Sequence, residues 1–368
     1  MIIEWVLGGI VLMYCLMILY LWLGWENIEV FEDDEYLPSV VVIVPVRNEA
    51  EGIHLLVNDM QKQTYKGSWQ AIIVDDDSND ATVQIVTNLI SDDKRFLLLE
   101  LKGNKGKKSA LARGIAESSA EVILTTDGDC RMGPEWMEAM VSAFQKNIQM
   151  VSGPVGFGNK RGLFHQMQVI EFASLIGSGA AMIGWEKPIM ANGANLAFKR
   201  SAYDLVGGYE GNGAIASGDD VFLLHQINRK FVNSIAFAKN PKAIVETASL
   251  KSLRSFWQQR KRWASKWKAY SDTLTKGIAV LVFLMSFSFA LMPILAISKT
   301  IGVFVWLNLL VAKSFFDFFF LRQIVRFSGS RIRFIAFLFL QLIHPFYVIA
   351  TALFSLGKTY TWKGRTVQ

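Results

Sequence analysis

The feature that most restricts how this chain can fold lies at its start. Residues 5–25, "WVLGGIVLMYCLMILYLWLGW", hold no charged side chain. At about 1.5 Å rise per residue, a helix of about 20 apolar residues crosses a hydrocarbon core of about 30 Å. A cleaved leader would open on basic residues and end on small ones. Here Glu4 precedes the run, and Trp22 and Trp25 close it. The run predicts an uncleaved anchor with tryptophans at the interface. Residues 1–36 then form anchor and linker.

Three more apolar stretches follow near the other end, at 277–297, 301–321 and 334–356, so 276–368 reads as a membrane region. Hydrophobic residues make up 52% of the 368 and charged ones 19%. The apolar excess sits at the two ends, as in a membrane protein with a soluble middle. Lys313 and Asp317 interrupt the second stretch at i, i+4 spacing. An ion pair facing the bundle is the favoured reading, a polar pathway the other. His344-Pro345 interrupts the third stretch and predicts a kink or a re-entrant turn. Arg322, Arg326, Arg331 and Arg333 lie between the last two stretches and should face the cytoplasm. The central domain, two crossings away, shares that side (the plasma or inner membrane in a bacterium). Four full crossings would put the basic tail "GKTYTWKGRTVQ" outside, so either the last stretch stops short or the rule fails there.

Between about 37 and 250 the pattern changes. "SVVVIVPV" (39–46) is a continuous apolar run, as a buried parallel strand would be. "QAIIVDDD" (70–77), "RFLLLELK" (95–102) and "EVILTTDGD" (121–129) follow, separated by amphipathic stretches near 49–63, 80–91 and 107–118. This alternation predicts an α/β domain with a mostly parallel sheet. Such sheets bind ligands at the carboxyl ends of their strands. The polar clusters fall there: Arg47-Asn48-Glu49, Asp75-Asp76-Asp77-Ser78 and Asp127-Gly128-Asp129. No G-x-G-x-x-G follows the first strand and no G-x-x-x-x-G-K-[ST] exists, which argues against a dinucleotide site and a P-loop. Cys15 lies in the anchor and Cys130 beside an acidic motif, so there is no disulfide framework, and a reducing compartment fits.

Asp127 and Asp129 flank a glycine. Alternate residues of an extended segment point the same way, so both carboxylates can address one ligand. Two hard oxygen donors suit Mg²⁺ or Mn²⁺ bridging to phosphate. Asp75, Asp76 and Asp77 repel one another, more than a helix cap needs. Ser78 is the expected N-cap, and the carboxylates suit a nucleotide base or ribose. Lys107 opens a helix, as a surface lysine or a phosphate ligand. Asp219 and Asp220 precede an amphipathic helix. They suit either a cap at the positive helix end or a general base whose pKa is raised by its neighbour and by desolvation.

The stretch "LRSFWQQRKRWASKWKAY" (253–270) sets Gln259, Arg262, Trp263, Lys266 and Trp267 on one helical stripe. The net charge of +6 leaves nucleic acid open in principle. The acidic clusters and the lack of a supporting module argue against it. An interfacial helix over 251–275 fits Trp and Lys beside a membrane. An active-site role needs Arg for a diphosphate and Trp for a sugar ring.

The residues together resemble the family 2, GT-A-fold, inverting glycosyltransferases. The branch is the membrane-embedded one with cellulose, chitin and hyaluronan synthases and ceramide glucosyltransferases. The pieces come in that family's order: "VPVRNEAEGI" (44–53), "IIVDDDSNDAT" (72–82), "TTDGDC" (125–130), "NGANLAFKR" (192–200), "GGYEG" (207–211), "SGDDVF" (217–222) and "QRKRW" (259–263). The last matches Q-(Q/R)-x-R-W at Gln259, Arg260, Arg262 and Trp263. The resemblance implies a GT-A nucleotide-diphospho-sugar transferase domain over 37–250, flanked by transmembrane helices. It implies that Asp75 and Asp76 hold base and ribose. Glu49 and Lys107 join the nucleotide-sugar site, and Asp127 and Asp129 bind the nucleotide-sugar and its metal. Gln259, Arg262 and Trp263 grip diphosphate and acceptor. Asp220 is the implied base, with Asp219 the alternative, because the T-E-D or E-D-D element here reads Gly218-Asp219-Asp220. Asp77 stands where many members have glycine.

The implied reaction moves a sugar from a nucleotide-sugar, a UDP-sugar by preference, to a lipid or glycan hydroxyl with inversion. Three C-terminal stretches are few for a polysaccharide channel in one chain, which favours a lipid acceptor over a processive synthase. The stretch 162–185 is either a membrane-lying guide for that lipid or an ordinary buried helix. A catalytically silent scaffold binding nucleotide or a partner, and a transporter built on Lys313 and Asp317, are the readings from other classes.

Overall fold

The computed structural model describes residues 1–31, 36–102, 106–209, 219–264, 273–354, 360–362 and 365–367. They group into two compact units. One joins Met1–Glu26, Asn159–Ala181 and Ser249–Gln368; the other joins Asn27–Gly158 and Met182–Ala248. The stretch 159–181 therefore packs with the terminal helices, although it lies in the middle of the sequence.

The chain opens with helix α1 (Ile2–Glu26), then alternates. β1 (Val40–Val46), α2 (Ile53–Gln61), β2 (Trp69–Asp75), α3 (Thr82–Ile90), β3 (Phe96–Glu100), α4 (Lys107–Ala116) and β4 (Val122–Thr125) build the first half of the α/β unit. Short pieces complete it: β5 (Arg131–Met132), α5 (Trp136–Val141), β6 (Met150–Ser152) and β7 (Val155–Phe157). After the long helix α6 (Leu163–Gly184) come β8 (Leu196–Lys199), α7 (Arg200–Leu205), α8 (Asp219–Lys230), β9 (Ile235–Phe237) and β10 (Val245–Thr247).

The main sheet has seven strands in the order β3-β2-β1-β4-β8-β6-β9. β1 to β4 run parallel to one another, β6 and β9 pair in parallel, and β8 runs antiparallel to its two neighbours, β4 and β6. β1 is buried over Val40–Val44 because both faces of a parallel sheet are covered. Helix α2 buries Ile53, Leu56, Val57 and Met60, which is one helical face. α4 approaches β1 so closely that a Cβ on Gly114 would lie 2.8 Å from Ile43. The four predicted strands are all present. β6, β8 and β9 extend the sheet beyond them, in runs of three or four residues that are too short to show a period. A smaller sheet, β5-β10-β7, completes the unit.

The register brings Val46 level with Asp75, and Asp75 level with Glu100. The acidic clusters after β1, β2 and β4 thus leave one edge of the sheet. Helix α2 starts later than the sequence pattern predicts because the loop before it is tied to the loop after β2. Asn48 and Glu49 donate their amides to Ser78 Oγ and Thr82 Oγ1 at 2.9 and 2.8 Å, and Ala50 donates to Asp80 Oδ2 at 3.1 Å. Ser78 is consequently not the N-cap of α3. That helix begins at Thr82, whose amide is accepted by Asp80 Oδ1 at 3.0 Å.

The helical unit adds α9 (Leu253–Ala264), α10 (Thr273–Ile297), α11 (Val303–Phe327) and α12 (Phe334–Phe354) to α1 and most of α6. Among the described residues, five helices are long and apolar enough to cross a membrane: α1, α6, α10, α11 and α12. α12 runs through His344-Pro345 as one helix. Lys313 and Asp317 pair at 2.6 Å and are buried. Tyr14 Oη donates to Asp317 Oδ1 at 2.9 Å, and Lys313 donates to Gln341 Oε1 at 2.6 Å. That network joins α1, α11 and α12, so the pairing reading holds over a bare polar pathway. A Cβ on Gly177 would overlap Ile324, which shows how closely α6 packs on α11.

Candidate active site

Asp75 ends β2, Asp76 follows it, and both are almost fully buried. Asp75 Oδ2 accepts from Ser78 N at 3.0 Å, while its Oδ1 is buried with no hydrogen-bond partner among the described residues. An unsatisfied buried carboxylate oxygen is costly and suits a donor from a ligand. Asp76 Oδ1 accepts the Gly106 amide at 2.8 Å, at the start of α4. Burial pushes its carboxyl above the usual range. Asp75 and Asp77 add to that, and the Gly106 amide and Arg47 oppose it. Arg47 donates to the Asp76 carbonyl at 2.7 Å and stands 3.8 Å from Asp77. Asp77 has φ of 64°, the left-handed region that glycine enters most easily and aspartate tolerates.

Past β4 the chain turns over Gly128. A Cβ there would lie 2.9 Å from Val46 and 3.1 Å from Glu49, so the acidic turn nests under the loop after β1 only because that residue is glycine. Asp127 is half-buried and pairs through Oδ1 with Lys107 Nζ at 2.5 Å. Asp129 is exposed, and its Oδ2 accepts from Thr247 Oγ1 at 3.1 Å. Burial first, then Asp127 and Asp129, push the Cys130 thiol well above its usual range, so it stays protonated. No group of three His, Cys, Asp or Glu able to hold a metal occurs among the described residues. Two carboxylates nevertheless fit Mg²⁺ or Mn²⁺, which commonly take one or two protein carboxylates and complete their shell with phosphate and water.

Asp220 lies in the first turn of α8. Its Oδ2 accepts the Gly193 amide at 3.0 Å and its Oδ1 accepts the Val221 amide at 2.9 Å. The Gly193 carbonyl in turn accepts from Thr125 Oγ1 on β4 at 3.0 Å. Lys107 Nζ would stand 3.7 Å from a Cβ on Gly193, and Asp220 3.5 Å. The acidic turn, the start of α4 and the start of α8 therefore converge on Gly193. Asn195 holds that loop from below, with its amide on the carbonyls of Pro154 and Ala243 and its Oδ1 on Trp136 Nε1, at 2.7, 2.8 and 3.0 Å. The side chain of Asp219 lies outside the described residues, as do Gly218, Lys266 and Trp267.

Gln259, Arg262 and Trp263 belong to the helical unit, on α9. Trp263 covers a cation of the chain itself: the Arg260 guanidinium lies 4.1 Å from its ring centre. Arg260 is 3% exposed and paired with Glu171 of α6, and Tyr347 of α12 donates to the same carboxylate at 3.1 Å. Gln259 Oε1 accepts from Arg260 at 2.9 Å. Sequence reasoning missed Glu171, although it is the one acidic residue in the stretch 162–185. It also missed Thr247, which carries no signal in the sequence.

Residues 41–206 match the sequence model of Glycosyl transferase family 2. That stretch, just under half of the chain, is similar to family 2 glycosyltransferases. Glycosyltransferase AglE of Haloferax volcanii is 34% identical over 123 residues, which is 33% of this chain and 40% of that protein. Poly-beta-1,6-N-acetyl-D-glucosamine synthase of Staphylococcus aureus is 25% identical over 267 residues, 71% of this chain and 61% of that protein. The chain thus spans 40 to 61% of the length of these curated relatives. The solved mannosyltransferase PcManGT from Pyrobaculum calidifontis, in complex with GDP-Man and Mn²⁺, superposes with a TM-score of 0.63 at 20% identity. It covers 92% of this chain and 98% of its own. That likeness shows the GT-A fold expected from the sequence.

Proposed function

We propose that this chain is a membrane-bound inverting glycosyltransferase that moves a sugar from a nucleotide-sugar to the hydroxyl of a membrane lipid. The observation that carries the reading is the convergence on Gly193. There Asp220, oriented by two backbone amides, faces the same loop as Lys107 and the Asp127-Asp129 turn.

Asp75 and Asp76 take the base and ribose. The buried Asp75 Oδ1 accepts a donor from the nucleotide. Glu49, which lies beside Gly128, joins that site. Asp127 and Asp129 would hold Mg²⁺ or Mn²⁺, which when bound neutralises the departing diphosphate. Asp220 accepts the proton of the acceptor hydroxyl. Its oxygens are held by the Gly193 and Val221 amides, so it need not reorient as the hydroxyl attacks the anomeric carbon. Gln259, Arg262 and Trp263 are the residues that the sequence resemblance assigns to diphosphate and acceptor. Asp220 is preferred as the base because its carboxylate accepts the Gly193 amide; Asp219 stays the alternative. The donor is a UDP-sugar by preference, and the solved relative bound to GDP-Man makes GDP-sugars the next choice. The catalytic domain is cytoplasmic, on the side of Arg322, Arg326, Arg331 and Arg333.

A processive polysaccharide synthase is the second reading, favoured by the likeness to the poly-beta-1,6-N-acetyl-D-glucosamine synthase. Nucleotide release by membranes given UDP- and GDP-sugars with Mn²⁺, with and without lipid extract, separates the two. Release that needs lipid and yields one added sugar supports lipid transfer. A ladder of products supports the synthase. No release with any sugar would favour a silent scaffold.

A further inference from the structure

We infer that Lys107 is a resident counter-cation for Asp127 that a nucleoside diphosphate must draw away before a divalent metal can use both carboxylates, so that metal and nucleotide bind with positive cooperativity. This rests on the proposed function of the same site.

Three observations carry it. First, Lys107 Nζ lies 2.5 Å from Asp127 Oδ1, so one of the two carboxylates already carries a cation. A metal bound to that oxygen at about 2.1 Å would stand roughly 4 Å from the ammonium, close enough for the two cations to repel. Second, the backbone of Lys107 is fixed. It is the first residue of α4, and the preceding Gly106 amide is bonded to Asp76 Oδ1 at 2.8 Å. Only the side chain can yield, and its flexible stem allows that. Third, the ammonium lies beside Gly193, which presents no side chain: Lys107 Nζ is 3.7 Å from where a Cβ would be, and Asp220 flanks the same position at 3.5 Å. Asp129 Oδ2 takes the Thr247 hydroxyl at 3.1 Å.

A diphosphate arriving beside Asp76 and the start of α4 supplies the negative charge that draws Lys107 off Asp127. Asp127 then becomes available to the metal. Because coupling is reciprocal, the metal must in turn tighten nucleotide binding by the same factor.

The test is Mn²⁺ binding to the full-length, detergent-purified chain, followed by the electron spin resonance of free Mn²⁺, without nucleotide and with UDP or GDP. The wild type should bind Mn²⁺ weakly alone and about tenfold more tightly with nucleotide. Lys107→Gln should tighten nucleotide-free Mn²⁺ binding by about fivefold, as expected for removal of a partly exposed ion pair, and shrink the nucleotide enhancement accordingly. Lys107→Arg, which keeps the charge, should stay near the wild type and guards against a folding defect. Unchanged or weaker nucleotide-free Mn²⁺ binding in Lys107→Gln, while nucleotide still tightens Mn²⁺ in the wild type, overturns the inference and leaves the proposed function standing. No Mn²⁺ binding to the wild type with either nucleotide overturns both.

Discussion

Asp76 shows how one residue can serve a site at the expense of the fold. Its carboxyl sits above the ordinary value of 3.8, with burial the largest cause. A carboxyl raised in this way favours the folded state fully only below its unfolded-state pKa, and that stability is lost as pH rises through the folded-state value. Asp76→Asn keeps an acceptor for the Gly106 amide and removes the buried charge. Its unfolding midpoint should therefore exceed the wild type's at pH 7 and converge with it below about pH 4, while nucleotide affinity falls by about tenfold or more. Equal midpoints at pH 7 would mean the charge is already compensated by Arg47 and the amide. The acidic residues of this site were legible because carboxylates at strand ends stand out against apolar runs. The role of Ser78 was not. A serine before a helix looks like a cap, and only the bond from Asn48 reveals it as a tie between two loops. Asp77 was noted as standing where many members have glycine, and its φ of 64° gives that position a physical reason.

At the scale of elements, buried ion pairs hold the helices. Glu171 of α6 is 6% exposed and satisfies both Arg260 of α9 and Tyr347 of α12. Glu171→Gln leaves the Arg260 charge buried and unpaired, which costs about 3–5 kcal/mol. Thermal unfolding in detergent should show the loss, and transfer should fall with it, because α9 carries Gln259, Arg262 and Trp263. Lys313 and Asp317 make a complementary case. Asp317→Leu alone should destabilise the helical unit, whereas the pair Lys313→Met with Asp317→Leu should recover most of the loss, since no charge is stranded. A double variant as unstable as the single would show that the links to Tyr14 and Gln341 matter more than the pair. The apolar runs announced the long helices and the parallel strands. The three-residue strands β6 and β9, and the late start of α2, were illegible because pairing and loop ties set them, not any period in the sequence.

For the molecule as a whole, the sequence motifs divide between the two units. The carboxylates and Lys107 belong to the α/β unit, and the Q-x-x-R-W element belongs to the helical one. The proposed side of the membrane rests on Arg322 and Arg326 near the end of α11 and on Arg331 and Arg333 in the connection to α12. A cysteine placed in that connection should be shielded from an impermeant thiol reagent in intact cells and labelled after lysis. Labelling in intact cells would reverse the orientation. The central claim, that Asp220 is the base of a nucleotide-sugar transfer, is tested most directly by Asp220→Asn in the purified chain with donor, Mn²⁺ and lipid extract. Nucleotide binding should stay within about twofold of the wild type, and transfer should fall by about 10²–10⁴-fold. Transfer at the wild-type rate in that variant would contradict it.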